Sequence, residues 1–194
     1  MRLARSTSSE RGFSLAETLF ATGILMAVAL GVAQLFAVAT QANRGAKGQT
    51  STAILAAQKM EQLRGLTWGF DTTGLGLPIT DTTTDLSVEP ATNTGNGLDP
   101  SPAGTLQNNV PGFVDYLDQF GVWVGTGAQP PPTAVYIRRW SIEPLPTNPN
   151  NTLVLQVMVT TVQTEGSRAI GPGAERWRLT NDAWIVGVRT RKAS

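Results

Sequence analysis

Residues 12–43 read GFSLAETLFATGILMAVALGVAQLFAVATQAN, and the fold of the chain turns on this stretch. Between Thr18 and Asn43 there is no charged side chain and no proline, so nothing interrupts a helix. At about 1.5 Å of rise per residue, this run is long enough to cross a hydrocarbon core of about 30 Å. Leu19, Phe20, Ile24, Leu25, Met26, Val28 and Leu30 surround the whole circumference, whereas a core helix of a soluble domain is usually shorter and amphipathic. The segment therefore predicts a membrane-spanning helix. Met1 to Gly12 is short and polar, with Arg2, Arg5 and Arg11 against Glu10, which suits a cytoplasmic flank under the positive-inside rule. An ordinary cleaved export signal is the competing reading, because Ala37, Val38 and Ala39 supply the small-residue pattern that signal peptidase prefers.

Glu17 weighs against that alternative. An acid at the entrance to an apolar helix costs insertion energy, about 2.5–3.5 kcal/mol at mid-membrane and less near an interface. The helix dipole returns only about 0.3–1 kcal/mol to an acid in the first turn. A partner cation would offset the remainder. Gly12, Phe13, Ser14, Leu15, Ala16 and Glu17, preceded by Arg11 and followed by the apolar run, resemble the processing site of type IV prepilins and type II secretion pseudopilins, closest to minor pilins. The resemblance implies that a prepilin peptidase cuts between Gly12 and Phe13 and methylates the new amino terminus of Phe13. It also implies that Glu17 pairs with that amino group on a neighbouring subunit during assembly. Glycine suits such a cut because its bare backbone admits close approach. Two positions depart from many relatives: Ala16 stands where a larger aliphatic is common, and no proline lies farther along the helix, where Gly31 is the candidate for local flexibility.

Composition narrows the chemistry. The chain has 194 residues and, past its anchor, room for one head domain. It contains neither cysteine nor histidine, which removes disulfides, thiolate metal sites and the commonest nucleophile and general base. A formal charge of +1 gives no basic excess for phosphate backbones. No cofactor is implied, and no phosphate-binding glycine loop or nucleophile elbow is present. A tethered hydrolase could draw paired carboxylates from Asp115, Asp118 and Glu143, but they stand in no motif, so a non-enzymatic protein is expected.

Working outward from the apolar run gives the rest of the plan: leader 1–12, membrane and polymerisation helix 13–43, and amphipathic continuation 44–64. A Gly/Pro/Asp-rich variable region follows at 65–134, then an antiparallel sheet at 135–190 and a tail at 191–194. Ala53, Ala56, Met60 and Leu63 recur at helical spacing and predict the stripe on which the sheet packs, with Gly65 as cap and Arg64 in the last turn. Between Arg64 and Arg138 every charged residue is acidic. Asp81 and Asp85, with Thr83, are candidates for calcium, without EF-hand spacing; an acidic solvated loop is the plainer reading. Phe113 to Trp123, with Asp118 and Gly121 at a turn, reads as a hairpin. Val135–Ile142 and Leu153–Val162 read as a strand pair, and Trp177–Leu179 and Trp184–Val188 as two further strands of a four-stranded meander. The predicted fold class is α+β: a long N-terminal helix packed on a C-terminal antiparallel sheet, pilin-like.

The function expected from these readings is that of a structural minor pilin of a type IV pilus, which initiates, joins or decorates the filament. The alternative is a minor pseudopilin of a type II secretion system. The implied partners are the prepilin peptidase, other pilin or pseudopilin subunits, and indirectly an inner-membrane platform protein and assembly ATPase. The implied location is the inner membrane, single-pass with a periplasmic head, and then the filament. A different class, a pilus-borne DNA- or ligand-binding module, would use Arg138, Arg139, Arg176, Arg178, Arg189 and Arg191 beside Trp140, Trp177 and Trp184. Strand alternation favours tryptophans in the core and arginines in water, so nucleic acid is not expected as a partner.

Overall fold

The computed structural model describes residues 12–166 and 182–191. A single α-helix, α1 (Leu15–Gly65), runs unbroken through Gly23 and Gly31. Ser14 starts it: its Oγ accepts the Glu17 backbone N–H at 3.2 Å, and its carbonyl accepts from Glu17 and Thr18. This is the N-terminal half of a capping box, in which a serine satisfies an otherwise orphaned amide three residues on. The chain divides into two compact units after Arg44. In the first, α1 is exposed all round, with Leu19, Phe20, Ile24, Leu25, Met26, Leu35 and Phe36 each more than 60% accessible. The helix is long and apolar enough to cross a membrane, and none of its apolar window is buried among the described residues.

The second unit opens with the remainder of α1. Its buried residues are Thr52, Leu55, Ala56, Lys59, Met60 and Leu63. Ala53, expected on this stripe, is exposed. Helical phase explains the shift: Thr52, Ala56, Lys59 and Leu63 follow a 4-3-4 spacing that leaves residue 53 to one side. Gly65 closes the helix as its last member without a left-handed φ, so it is not the expected αL cap; Leu66 instead donates to the Leu63 carbonyl at 3.4 Å.

The helix packs on an antiparallel sheet of five strands in the order β4-β3-β5-β6-β7. These are β3 (Val114–Leu117), β4 (Trp123–Gly125), β5 (Tyr136–Pro144), β6 (Thr152–Thr161) and β7 (Ala183–Thr190). A separate ribbon, β1 (Trp68–Phe70) with β2 (Pro78–Thr80), follows the helix. Three of the four strands expected in the meander are present as β5, β6 and β7, but β7 pairs directly with β6, where Trp177–Leu179 was expected between them; Trp177–Leu179 lies outside the described residues. The predicted hairpin at residues 113–123 is present as β3–β4 and joins the main sheet. Asp118 builds its turn, with Oδ1 accepting from Phe120 at 2.8 Å and Val122 at 2.9 Å, while Gly121 adopts φ +80°. That φ favours glycine.

One sheet face meets α1. Phe113, Leu117, Trp140, Ile142, Leu153, Leu155, Val157 and Val159 form its core with Leu55, Ala56, Met60 and Leu63. The variable region contributes as well: Leu86 and Leu98 are buried in the same cluster. A second, smaller cluster of Val114, Tyr116 and Ile137 lies on the opposite face, with Val124, Ala134 and Val162 against it. The short helix α2 (Val162–Glu165), capped by Thr161, follows β6 there. The strands alternate as antiparallel strands should, but β5 is buried on both faces from Ile137 to Ile142.

Candidate functional site

At the chain's beginning, Gly12, Phe13 and Ser14 precede the first helical residue and are exposed, so the Gly12–Phe13 bond stands on non-helical, accessible backbone. Phe13 is 81% accessible. Glu17 occupies the third position after the Ser14 cap, in the first turn, where its charge suits the helix dipole. Ser14 enters the sequence reading only as part of the Gly12–Glu17 motif; its role as helix cap was legible too, since a serine three residues before a glutamate at the head of an apolar run is the capping-box signature. Exposed, non-helical backbone thus stands directly before a helix too apolar to be comfortable in water.

The head contains a buried ionic centre that the sequence reading did not foresee. The Asp115 carboxylate takes a two-pronged grip from Arg138, Nε to Oδ1 at 2.9 Å and Nη2 to Oδ2 at 2.7 Å. Lys59 Nζ reaches the same Oδ2 at 2.8 Å. All three side chains are at most 1% accessible. Asp115 and Arg138 are directly opposed across β3 and β5, and Lys59 descends on them from α1. Lys59 also donates to the Leu86 carbonyl at 2.5 Å and lies 4.2 Å from the centre of the Trp140 ring. Burial lowers the Lys59 pKa to about 8; Asp115 opposes the shift and Arg138 adds to it. Two buried cations on one carboxylate make a structural clasp tying helix, hairpin and central strand together.

A pH dependence follows. The unfolded lysine holds its proton up to about 10.5, the folded one only to about 8, so between these values the unfolded state binds more protons. Head stability should therefore rise with pH from about 8 to about 9.5, by at most about 2 kcal/mol. Above pH 10 the raised pKa of Tyr116 acts in the opposite direction, which fixes the upper limit of the window. Denaturant titrations of the wild type across this window, beside Lys59→Met, provide the check: the rise should vanish in the variant.

Arg139 points to the other face of the sheet. It donates to Asn109 Oδ1 through Nε at 2.9 Å and Nη2 at 2.7 Å, and Nη2 reaches Glu165 Oε1 at 2.6 Å. Arg138 and Arg139 were expected in water; both are buried, because each has a carboxylate waiting beside it. Trp140 faces the core as expected. Arg189 and Arg191 are half-buried on β7 and just beyond it, and Arg176, Arg178 and Trp177 lie outside the described residues. The arginine–tryptophan constellation is thus not a nucleic-acid surface among the described residues.

The remaining candidates are local braces. Asp81 Oδ1 accepts from the amides and hydroxyls of Thr83 and Thr84, and Asp85 Oδ1 accepts from the amide and hydroxyl of Ser87. These carboxylates close their own turns. Among the described residues no three His, Cys, Asp or Glu side chains gather to hold a metal. Asp115, Asp118 and Glu143 are not brought together as a catalytic set: the first is clasped, the second caps a turn, and the third is exposed near the end of β5. Comparison of the chain with protein-family models, curated proteins and solved structures finds no match. The functional reading therefore rests on the chain's own residues.

Proposed function

We propose that this chain is a structural minor pilin, or the equivalent pseudopilin, anchored in the inner membrane with a periplasmic head until it is assembled into a filament. The observation that carries the reading is the uncovered apolar half of α1, headed by Gly12-Phe13-Ser14-Leu15-Ala16-Glu17 on exposed backbone. Side chains this large and apolar over the whole circumference of a helix need lipid or other helices around them. A peptidase acting at Gly12 would leave that helix attached to the head, with Phe13 as its first residue. Glu17 would then be neutralised by the amino group of Phe13 on the next subunit, since an unpaired carboxylate inside an apolar bundle is costly. A platform protein and an assembly ATPase would drive extension. The chain carries no reaction of its own in this scheme.

Mass spectrometry of the mature N-terminus, after expression with and without a prepilin peptidase, tests the proposal. The expected product begins at N-methylated Phe13, appears only with the peptidase, and is lost in Gly12→Val. Glu17→Ala should be cleaved at the same bond yet fall at least tenfold in the sheared filament fraction. An uncleaved chain, or one that begins at Thr40 after Ala39, would overturn the reading.

A further inference from the structure

We propose that Arg44 and Gln41 bind the phosphate of an anionic phospholipid at the end of the apolar run of α1, with Phe36 and Ala37 against the top of its acyl chain. The inference rests on the reading of α1 as a membrane anchor. A shallow groove of about 580 Å³ runs along the helix surface between Phe36, Ala37, Thr40, Gln41 and Arg44. All five residues belong to the first compact unit and are exposed. They share one helix face, since they recur at three- and four-residue spacing. Ala37 keeps the floor of the groove low, and Phe36, 69% accessible, forms its apolar end.

Depth places the two ends of this groove in different solvents. About twenty helical residues fill a hydrocarbon core of about 30 Å, and counted from Thr18, where the uncharged run begins, they end near Ala37. The headgroup layer adds about 5–7 Å on each side, which covers Thr40 and Gln41. Arg44 starts beyond that layer, but side chains on a helix lean toward its N-terminus and cover the preceding turn. The guanidinium therefore reaches back over Thr40, to phosphate depth. The Thr40 hydroxyl is committed to the Phe36 carbonyl at 2.8 Å, so the donors on offer are the Arg44 fork and the Gln41 carboxamide. A phosphate diester presents the paired oxygens that a guanidinium grips two at a time.

Charge selects the class of lipid. Arg44 is the first charged residue after Glu17, no acid follows it before Glu61, and it forms no ion pair among the described residues. A zwitterionic lipid brings its own cation, for which this groove has no acid. An anionic one brings the single negative charge that Arg44 lacks.

The test uses the full-length protein in detergent, titrated with phosphatidylglycerol or phosphatidylcholine of identical acyl chains, with lipid-bound protein counted by native mass spectrometry. The wild type should retain phosphatidylglycerol at least threefold more strongly than phosphatidylcholine. Arg44→Gln removes the charge, and Ala37→Leu fills the groove with the charge in place; each should lower phosphatidylglycerol retention at least threefold. Both introduce good helix formers on an exposed helix, so circular dichroism should be unchanged. Arg2, Arg5 and Arg11 are present in every variant, so these differences report on the groove. Inorganic phosphate added at millimolar concentration should leave retention unchanged, because a free ion has no chain to lay against Phe36 and Ala37. Equal retention of the two lipids, wild-type retention in Arg44→Gln or Ala37→Leu, or displacement by inorganic phosphate would overturn the proposal. Flotation with phosphatidylcholine vesicles reports the anchor separately: a chain that floats without a lipid preference loses this site and keeps the anchor, and one that does not float loses both.

Discussion

Asp115→Asn should cost the head about 3–5 kcal/mol, at the upper end of that range, because two buried cations lose the carboxylate that both of them use. A typical domain is stable by only about 5–15 kcal/mol, so this single change removes much of the total. The variant keeps its shape: asparagine is isosteric, leaves no cavity, and still offers an oxygen to Arg138. What it lacks is charge. Lys59 is the weaker holder of its proton and should respond by becoming neutral, which limits the damage and moves its titration below the wild-type value of about 8. Lys59→Met in the same chain tests that account, since it removes one of the two stranded cations and keeps the aliphatic stem. The double variant should recover about 1–3 kcal/mol relative to Asp115→Asn alone. Denaturant unfolding of the full-length protein in detergent, followed by tryptophan fluorescence, reads all three. A cost below about 1 kcal/mol for Asp115→Asn would mean that water reaches this site and that the clasp is ornamental.

The clasp also shows where reading the sequence stops. Helical spacing made the apolar members Ala56, Met60 and Leu63 legible, but Lys59 sits on the same stripe and looks from the sequence like a solvated lysine in an Ala-Gln-Lys-Met-Glu run. Its burial is decided by Asp115, which is 56 residues away and arrives only when β3 pairs with β5. Arg138 and Arg139 misled for the same reason: adjacent residues on a strand face opposite ways, and here both faces hold an acid, Asp115 on one and Glu165 on the other. Local signals did better. The β5–β6 pair, the Asp118–Gly121 turn and the long apolar helix are each written in a contiguous stretch, through alternation, turn chemistry and length. Asp81 and Asp85 were ambiguous because a carboxylate among threonines and serines is equally suited to a cation and to capping its own turn. The hydrogen bonds to Thr83, Thr84 and Ser87 belong to the second. The Gly12–Glu17 stretch was the most informative in the chain, and its meaning is chemical rather than architectural.

Trp140→Ala should destabilise the head by about 3–5 kcal/mol, the range for deleting a large aromatic from a close-packed core. Trp140 is 1% accessible at the middle of β5, opposite Val157 and beside Ile142, in the cluster that receives the helix. Its ring serves twice. It fills the space between sheet and helix, and its face lies 4.2 Å from the Lys59 ammonium, an attraction of up to about 2 kcal/mol when desolvated. The two contributions separate experimentally. Trp140→Leu keeps much of the apolar volume and loses the π face, so it should cost less than Trp140→Ala and should lower the pKa of Lys59 further. Trp140→Phe keeps a face of weaker quadrupole and should lie between wild type and Trp140→Leu in both respects. Because the ring and Asp115 act on one lysine, the effects of Trp140→Leu and Asp115→Asn should not add: once Lys59 is neutral, losing the ring's attraction for its charge costs nothing more. A double variant whose cost equals the sum of the single costs would show that the ring acts through packing alone, and that Lys59 is held by Asp115 and the Leu86 carbonyl without it.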